Sequence, residues 1–202
     1  MRRIFELAQG RIVMISLWQV ALLAIVVSGI YKLIALKSSE NSQYLYGKEL
    51  KKAPWSLPGW MFGPAWITNN FFLLLALLGT VNMENGTTRT SLLNLQVFIW
   101  FIFYTFDFIY FNRKSPILGT IWMKSDSVLS LASFFLAWRL DRNLAYCYVP
   151  LVLWSVYAGT VADYQAFYNW DPVFKTKPLL EFIHREKGKK KKKGGFFRSG
   201  ST

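Results

Sequence analysis

The sequence predicts an all-α integral membrane protein: a bundle of five transmembrane helices with a ligand cavity and a disordered basic C-terminal tail. Three observations predict it. Hydrophobic residues make up 53% of the chain and charged residues 17%, which is unusual for a soluble domain of this size. The apolar residues fall in five blocks, each near the roughly 20 residues a helix needs to cross a bilayer. The formal net charge of +13 is gathered largely into one run, KTKPLLEFIHREKGKKKKKGGFFR, from Lys175 to Arg198.

The first span is Ile12 to Leu36, IVMISLWQVALLAIVVSGIYKLIAL. Met1-Arg2-Arg3 ahead of it imitates a secretory signal. The block is longer than an ordinary signal core and lacks a small-residue cleavage site. The second span is Gly59 to Val81, centred on FFLLLALLGTV. The third, Ser91 to Phe111, is the most apolar. All three are apolar on nearly every face, where a soluble helix would show a polar stripe. The fourth, Ile117 to Trp138, is the weakest, because Lys124 and Asp126 lie inside it. The fifth runs from Leu144 to Phe167. The membrane domain is expected over residues 1–172 and the tail over 173–202, ending in the flexible composition GGFFRSGST.

Five spans put the two ends on opposite sides. Arg2, Arg3, Arg11, Arg89, Arg139 and Arg142 fall on one side. Lys37, Lys48, Lys51, Lys52, Arg113, Lys114 and the tail fall on the other, which the positive-inside rule assigns to the cytosol. The tail can attract anionic headgroups. No nucleic-acid-binding fold signature accompanies it. Asn85-Gly86-Thr87 is a glycosylation sequon on a short loop beside the membrane, and is read as a turn. A lone cysteine, Cys147, lies in the fifth span and reads as a packing residue; a lone histidine, His184, lies in the tail. Neither supplies a disulfide, a zinc site or a bis-histidine haem site, so no metal is expected.

The second span opens on PWSLPGWMFGPAW, Pro54 to Trp66, a stretch rich in helix breakers and tryptophan. Together with Leu50 and Lys52, the residues Trp55, Pro58, Trp60, Phe62, Gly63, Pro64 and Trp66 resemble the entry to the second span of the TspO/MBR family, the translocator or tryptophan-rich sensory proteins. Ala53 and Leu57 stand where the family has proline. In the fifth span, Tyr148 to Trp154 with Pro150, followed by Asp163-Tyr164, is a second match; Trp122 and Asp126 in the fourth are a third. The resemblance covers about Leu50 to Tyr168. The basic residue that would complete the family's sterol-recognition pattern after Tyr164 is missing.

The resemblance implies a cavity that accepts porphyrins, sterols and synthetic ligands, lined here by Trp60, Phe62, Gly63, Pro64, Trp66, Asp107, Trp122, Asp126, Pro150 and Trp154. It also implies a multi-pass protein of the mitochondrial outer membrane or endoplasmic reticulum in a eukaryote, or of a cell-envelope membrane in a bacterium. Physically, Pro58 suits a helix start. Pro64, deeper, is expected to kink the second span, with Gly63 admitting a neighbouring helix. Trp55 reads as an interfacial anchor, and Trp66 and Trp154 as cavity walls for a flat ligand. Asp107, Asp126 and Asp163 are costly in a span and read as polar anchors or interhelical ties, Asp163 pairing with Asn69 or Asn70. The competing reading for Asp126 is a partly hydrated place near an interface. Ala158 and Gly159 allow a homodimer.

Three functions follow. The first is a carrier or sensor of a planar hydrophobic ligand, a porphyrin, haem or sterol, that requires no cofactor and performs no covalent chemistry. The second, which the resemblance implies through the family's bacterial members, is light-dependent porphyrin breakdown, with Trp66 and Trp154 as the candidates. The third is a membrane scaffold that docks partners or anionic lipid through the tail. No nucleophile–base pair supports other catalysis.

Overall fold

The computed structural model describes residues 17–35 and 50–178, with side chains from residue 18 to 30 in the first segment. Helices dominate: α1 (Leu17–Ala35), α2 (Phe62–Val81), α3 (Thr87–Asp107), α4 (Pro116–Trp138), a short α5 (Arg142–Tyr146) and α6 (Val149–Tyr168). Among the described residues the β structure is a single isolated bridge, Asp171 to Thr176. The flanks of the first expected span and nearly all of the tail lie outside the described residues.

Each helix starts where local chemistry allows. Ser115 caps α4, its Oγ accepting from Leu118 N at 3.1 Å, and Pro116 follows where a missing N–H costs nothing. Asp141 caps α5 by accepting from Asn143 N at 2.6 Å. Gly86 opens α3, so the sequon is part of a turn, with Asn85 bonded to Arg89. The α3 helix continues beyond Asp107 into a π-helical turn, Phe108–Asn112. The expected fifth span is two helices, broken at Cys147 and Tyr148. Pro150, in the first turn of α6, has no N–H with which to continue the hydrogen bonding of α5.

Among the described residues, three segments are long and apolar enough to cross a membrane: Gly59–Val81, Thr87–Asn112 and Arg142–Tyr168, with mean hydropathies of 1.5, 1.6 and 1.4. Trp18–Ile30 is a shorter apolar stretch. The α4 helix is as long, at 23 residues, but more polar, and its polar residues Asp126, Ser127, Ser130 and Ser133 are buried. They pack against α6, the most extensive helix pair in the bundle. Ser130 Oγ lies 3.3 Å from Ser155 Oγ, and Lys124 Nζ lies 2.6 Å from Asp163 Oδ2, a register that sets the two helices antiparallel. Asp163 therefore pairs with Lys124, not with an asparagine; Asn70 donates to Ser28 of α1 at 2.8 Å. Lys124 passes over Gly159, where a Cβ would meet it at an ordinary contact distance of 3.7 Å, and Ala158 is buried with Met123. These small residues are buried within the chain.

Polarity is distributed inside out. Asn69, Asn70, Gln96, Asp126, Ser130 and Ser155 are buried, while Val97, Phe98, Phe101, Val128, Phe135 and Leu153 are exposed. Within the core, Gln96 donates to Tyr148 Oη at 3.0 Å and accepts from Trp100 Nε1 at 3.2 Å, tying α3 to the α5–α6 junction. Cys147 is buried in the main apolar cluster.

Candidate functional site

The site lies toward the end of the bundle that carries Lys51, Lys52, Arg113, Lys114, Lys175 and Lys177. It is closed there by residues 50–58, which run along the last turns of α6. Asn169 holds this strap through both amide atoms: Lys51 N donates to its Oδ1 at 2.7 Å, and its Nδ2 donates to Lys51 O at 3.0 Å. Tyr157 Oη accepts from Leu57 N at 2.8 Å and donates to Trp55 O at 3.1 Å. Trp55 donates from Nε1 to Thr160 at 3.2 Å and sets its ring edge-on to Tyr164. Trp55 is thus a member of the strap and not simply a surface anchor.

Beyond the strap, Pro58 starts a 3-10 turn, Gly59–Met61, that leads directly into α2. Pro64 is the third residue of α2, among the positions whose N–H has no intrahelical partner. In that position the proline sits at the start of α2 and removes no bond from its body. Nor does Gly63 admit a neighbouring helix, since a Cβ there would meet nothing within 4 Å. The close helix approach is made at Gly119 of α4, where a Cβ would meet the ring of Tyr110 at 2.4 Å.

Under the strap is a small cavity of about 40 Å³, lined by Ser56, Phe62, Trp66, Phe106, Tyr110, Met123, Trp154, Ala158 and neighbouring residues of α6. Trp66 and Trp154 face each other edge to face with centroids 6.4 Å apart, and Phe62 stands edge-on to Trp154 at 5.2 Å. Tyr110, on the π-turn, bonds through its hydroxyl to Gln165 of α6. Behind Trp66 is a larger chamber of about 420 Å³ between α1, α2 and α3, lined by Ile25, Ser28, Gly29, Gly63, Phe103, Asp107 and others. The two spaces share Phe62, Trp66 and Phe106, so Trp66 stands as a partition between them.

The structure thus brings Phe62, Gly63, Trp66, Asp107 and Trp154 to these spaces. Asp126 does not line them but lies one turn beyond Met123 on α4, 1% exposed and with no hydrogen-bond partner for Oδ2. That burial removes the reading of a hydrated interfacial carboxylate. Trp60 is on the outer surface at 73% exposure, and Pro64 is also exposed. Pro150 lies at the far end, next to Tyr148. Trp122 lies in an open groove between α3 and α4, donating to Thr105 at 2.9 Å.

The residues that sequence reasoning missed are Ser56, Phe106, Tyr110, Met123, Ala158, Val161, Ala162 and Gln165. On α6 the signal was present: 154, 158, 161, 162 and 165 recur at helical spacing and mark one face. Tyr110 carried none, since nothing in the sequence announces the π-turn that presents it.

A comparison with curated proteins found no match. The profile of the TspO/MBR family matches residues 19–167, from α1 through almost all of α6. The match spans most of the chain and the whole of the aromatic site, and the chain belongs to the TspO/MBR family.

Proposed function

We propose that this protein is a membrane-embedded receptor or carrier for a flat hydrophobic ligand of sterol or tetrapyrrole size, held around Trp66. The observation that carries the reading is the partition: one indole borders both the small cavity and the larger chamber. The chamber's 420 Å³ falls in the usual range for small-molecule sites, about 300–1,000 Å³. The 40 Å³ cavity holds little more than a water molecule or two until Trp66 turns aside. A ligand entering the chamber and displacing the indole would join the two spaces and stack against Trp154. The exposed apolar residues and buried polar ones support a bilayer setting. The basic end would face the cytosol, with the tail near anionic headgroups.

The test is a titration of the full chain in nanodiscs with cholesterol and with protoporphyrin, followed by indole fluorescence. Trp66→Ala and Trp154→Ala should each weaken binding by about thirtyfold, the cost of about 2 kcal/mol typical of a well-packed aromatic anchor. Trp60→Ala, on the outer surface, should leave it unchanged. Unaltered affinity in both cavity variants would overturn the reading.

A further inference from the structure

The walls of the chamber behind Trp66 are largely apolar or aromatic; Ser28 of α1 brings a hydroxyl to it and Asp107 of α3 a carboxyl. Ile25, Ser28 and Gly29 reach the chamber at the i, i+3, i+4 spacing of one helix face. On α2 the matching stripe is Gly63, Trp66 and Ile67, and Asn70 continues it by one turn. The α2 and α3 helices run antiparallel: Trp66 packs against Phe103 at 4.9 Å, and Leu73 O accepts from Gln96 at 3.3 Å. From the Trp66–Phe103 contact, Asp107 lies one turn toward the strap and Asn70 one turn away from it. Ser28, bonded to Asn70, therefore marks the deep end of the chamber.

The state of that hydroxyl is unusual for the bundle. Asn70 is fully buried, and its Nδ2 donates to Ser28 Oγ at 2.8 Å. Serine and threonine hydroxyls within helices commonly turn back to a carbonyl of the preceding turn. Thr68, Thr80, Ser127 and Ser133 do so, at 2.8–3.0 Å. Ser28 makes no such bond among the described residues; its oxygen is engaged as an acceptor. Its proton is left for a partner in the chamber that the residue lines. A ligand that fills the chamber shuts water away from this donor. An unpaired buried donor is costly, and an acceptor on the ligand removes that cost.

Resting on the reading of the chamber as a ligand site, we infer that it selects flat hydrophobic ligands that carry a hydrogen-bond acceptor, a carbonyl above all, at the end that enters deepest. Ser28 is the residue that makes the selection. The ring system lies along Trp66 and Phe103, and the carbonyl oxygen accepts from Ser28 Oγ. Asn70 occupies the serine oxygen from the other side. A ligand without an acceptor fills the same space but leaves the hydroxyl unpaired.

Three probes of one shape test this: 9-fluorenone, which offers a carbonyl; fluorene, which offers no polar group; and carbazole, which offers an N–H donor. Each is titrated by calorimetry into the full chain in phosphatidylcholine nanodiscs, with empty nanodiscs subtracted. Each variant is compared with the parent for the same probe, so partition into lipid cancels. Ser28→Ala should weaken fluorenone about fivefold, the worth of one neutral hydrogen bond of about 1 kcal/mol, and leave fluorene and carbazole unchanged. Ser28→Thr, which keeps the hydroxyl, should retain most of the affinity for fluorenone. If Ser28→Ala does not fold, Ser28→Cys, a much weaker donor, takes its place and should show the same selective loss. Equal changes for fluorenone and fluorene at Ser28, with both weakened by Trp66→Ala, would overturn the selection and leave the chamber standing. A loss confined to carbazole would show the serine donating to Asn70 and accepting from the ligand, and would overturn the selection as well. Affinities untouched by Trp66→Ala would overturn the ligand-site reading and this inference with it.

Discussion

Gly119→Ala should destabilise the bundle through a single contact. The added Cβ would lie 2.4 Å from Tyr110 Cδ2 and 2.9 Å from Cε2, so the ring must withdraw by about 1 Å to reach ordinary contact near 3.4 Å. It has little space to do so. Tyr110 is 3% exposed, stacks on Phe106 at 5.2 Å, meets Phe111 edge-on at 5.0 Å and is tied through its hydroxyl to Gln165. Overpacking of this kind costs about 1–3 kcal/mol, and a displaced hydroxyl leaves a buried partner unsatisfied at about 1–3 kcal/mol more. Alanine returns up to about 1 kcal/mol as a better helix former. The net expectation is a loss of about 1–6 kcal/mol. The assay is thermal unfolding of the detergent-solubilised chain followed by indole fluorescence. Gly63→Ala, whose Cβ would meet nothing, serves as a control and should be neutral or slightly stabilising. Tyr110→Leu should relieve the clash, so the double variant should be more stable than the two single effects predict by about 1 kcal/mol or more. Parent-like stability in Gly119→Ala, or strict additivity in the cycle, would refute the contact.

Three further expectations follow from the same geometry. Pro64→Ala should change stability by less than about 1 kcal/mol and leave ligand affinity intact, because the proline occupies the first turn of α2; a large change in the thermal midpoint would restore the kink. Asn169→Ala removes both bonds that pin Lys51, and hydrogen exchange at the backbone amides of residues 51–57 should quicken while that of α4 does not; equal protection would show that the strap is held by something else. Lys124→Met leaves Asp163 without its ion-pair partner and should cost more than the double variant Lys124→Met/Asp163→Leu, which removes both charges; a double variant less stable than the single one in nanodiscs would contradict an ion pair set against lipid.

What the sequence made legible was set by the range of the physics involved. Block length and hydropathy are properties of a single segment, and four of the five expected spans reappear as helices within a few residues of their expected limits; the first is described only from Leu17 to Ala35. The exception to a clean count is the fifth, split where Pro150 cannot supply a backbone N–H. Partnerships between segments were less legible. Asp163 was assigned to an asparagine because both are polar, yet its partner is Lys124, which the antiparallel register of α4 and α6 brings to it. Gly63 looked like a packing glycine because it adjoins a proline, whereas the helix contact that needs glycine is at Gly119, opposite an aromatic ring the chain had not yet placed. Trp60 and Trp66 are identical in type and six residues apart, but the first precedes the helix and faces outward while the second sits within α2 and faces the cavity.

The helix breakers before α2 acquire their meaning from the strap. A helix that began earlier would satisfy its own backbone and have no groups left for α6. With residues 50–58 outside any helix, and folded only into a turn closed by Ser56 N donating to Ala53 O at 2.9 Å, the N–H and C=O of Lys51, the N–H of Leu57 and the C=O of Trp55 are available to Asn169 and Tyr157. Leu57 is the informative position. It stands where the family pattern has a proline, and a proline has no N–H to donate. This chain thus has at that point a bond to Tyr157 of 2.8 Å that the family's residue cannot make, and Tyr157 in turn packs its ring near Trp154 at 5.7 Å. One side chain therefore touches the strap through its hydroxyl and the cavity wall through its ring.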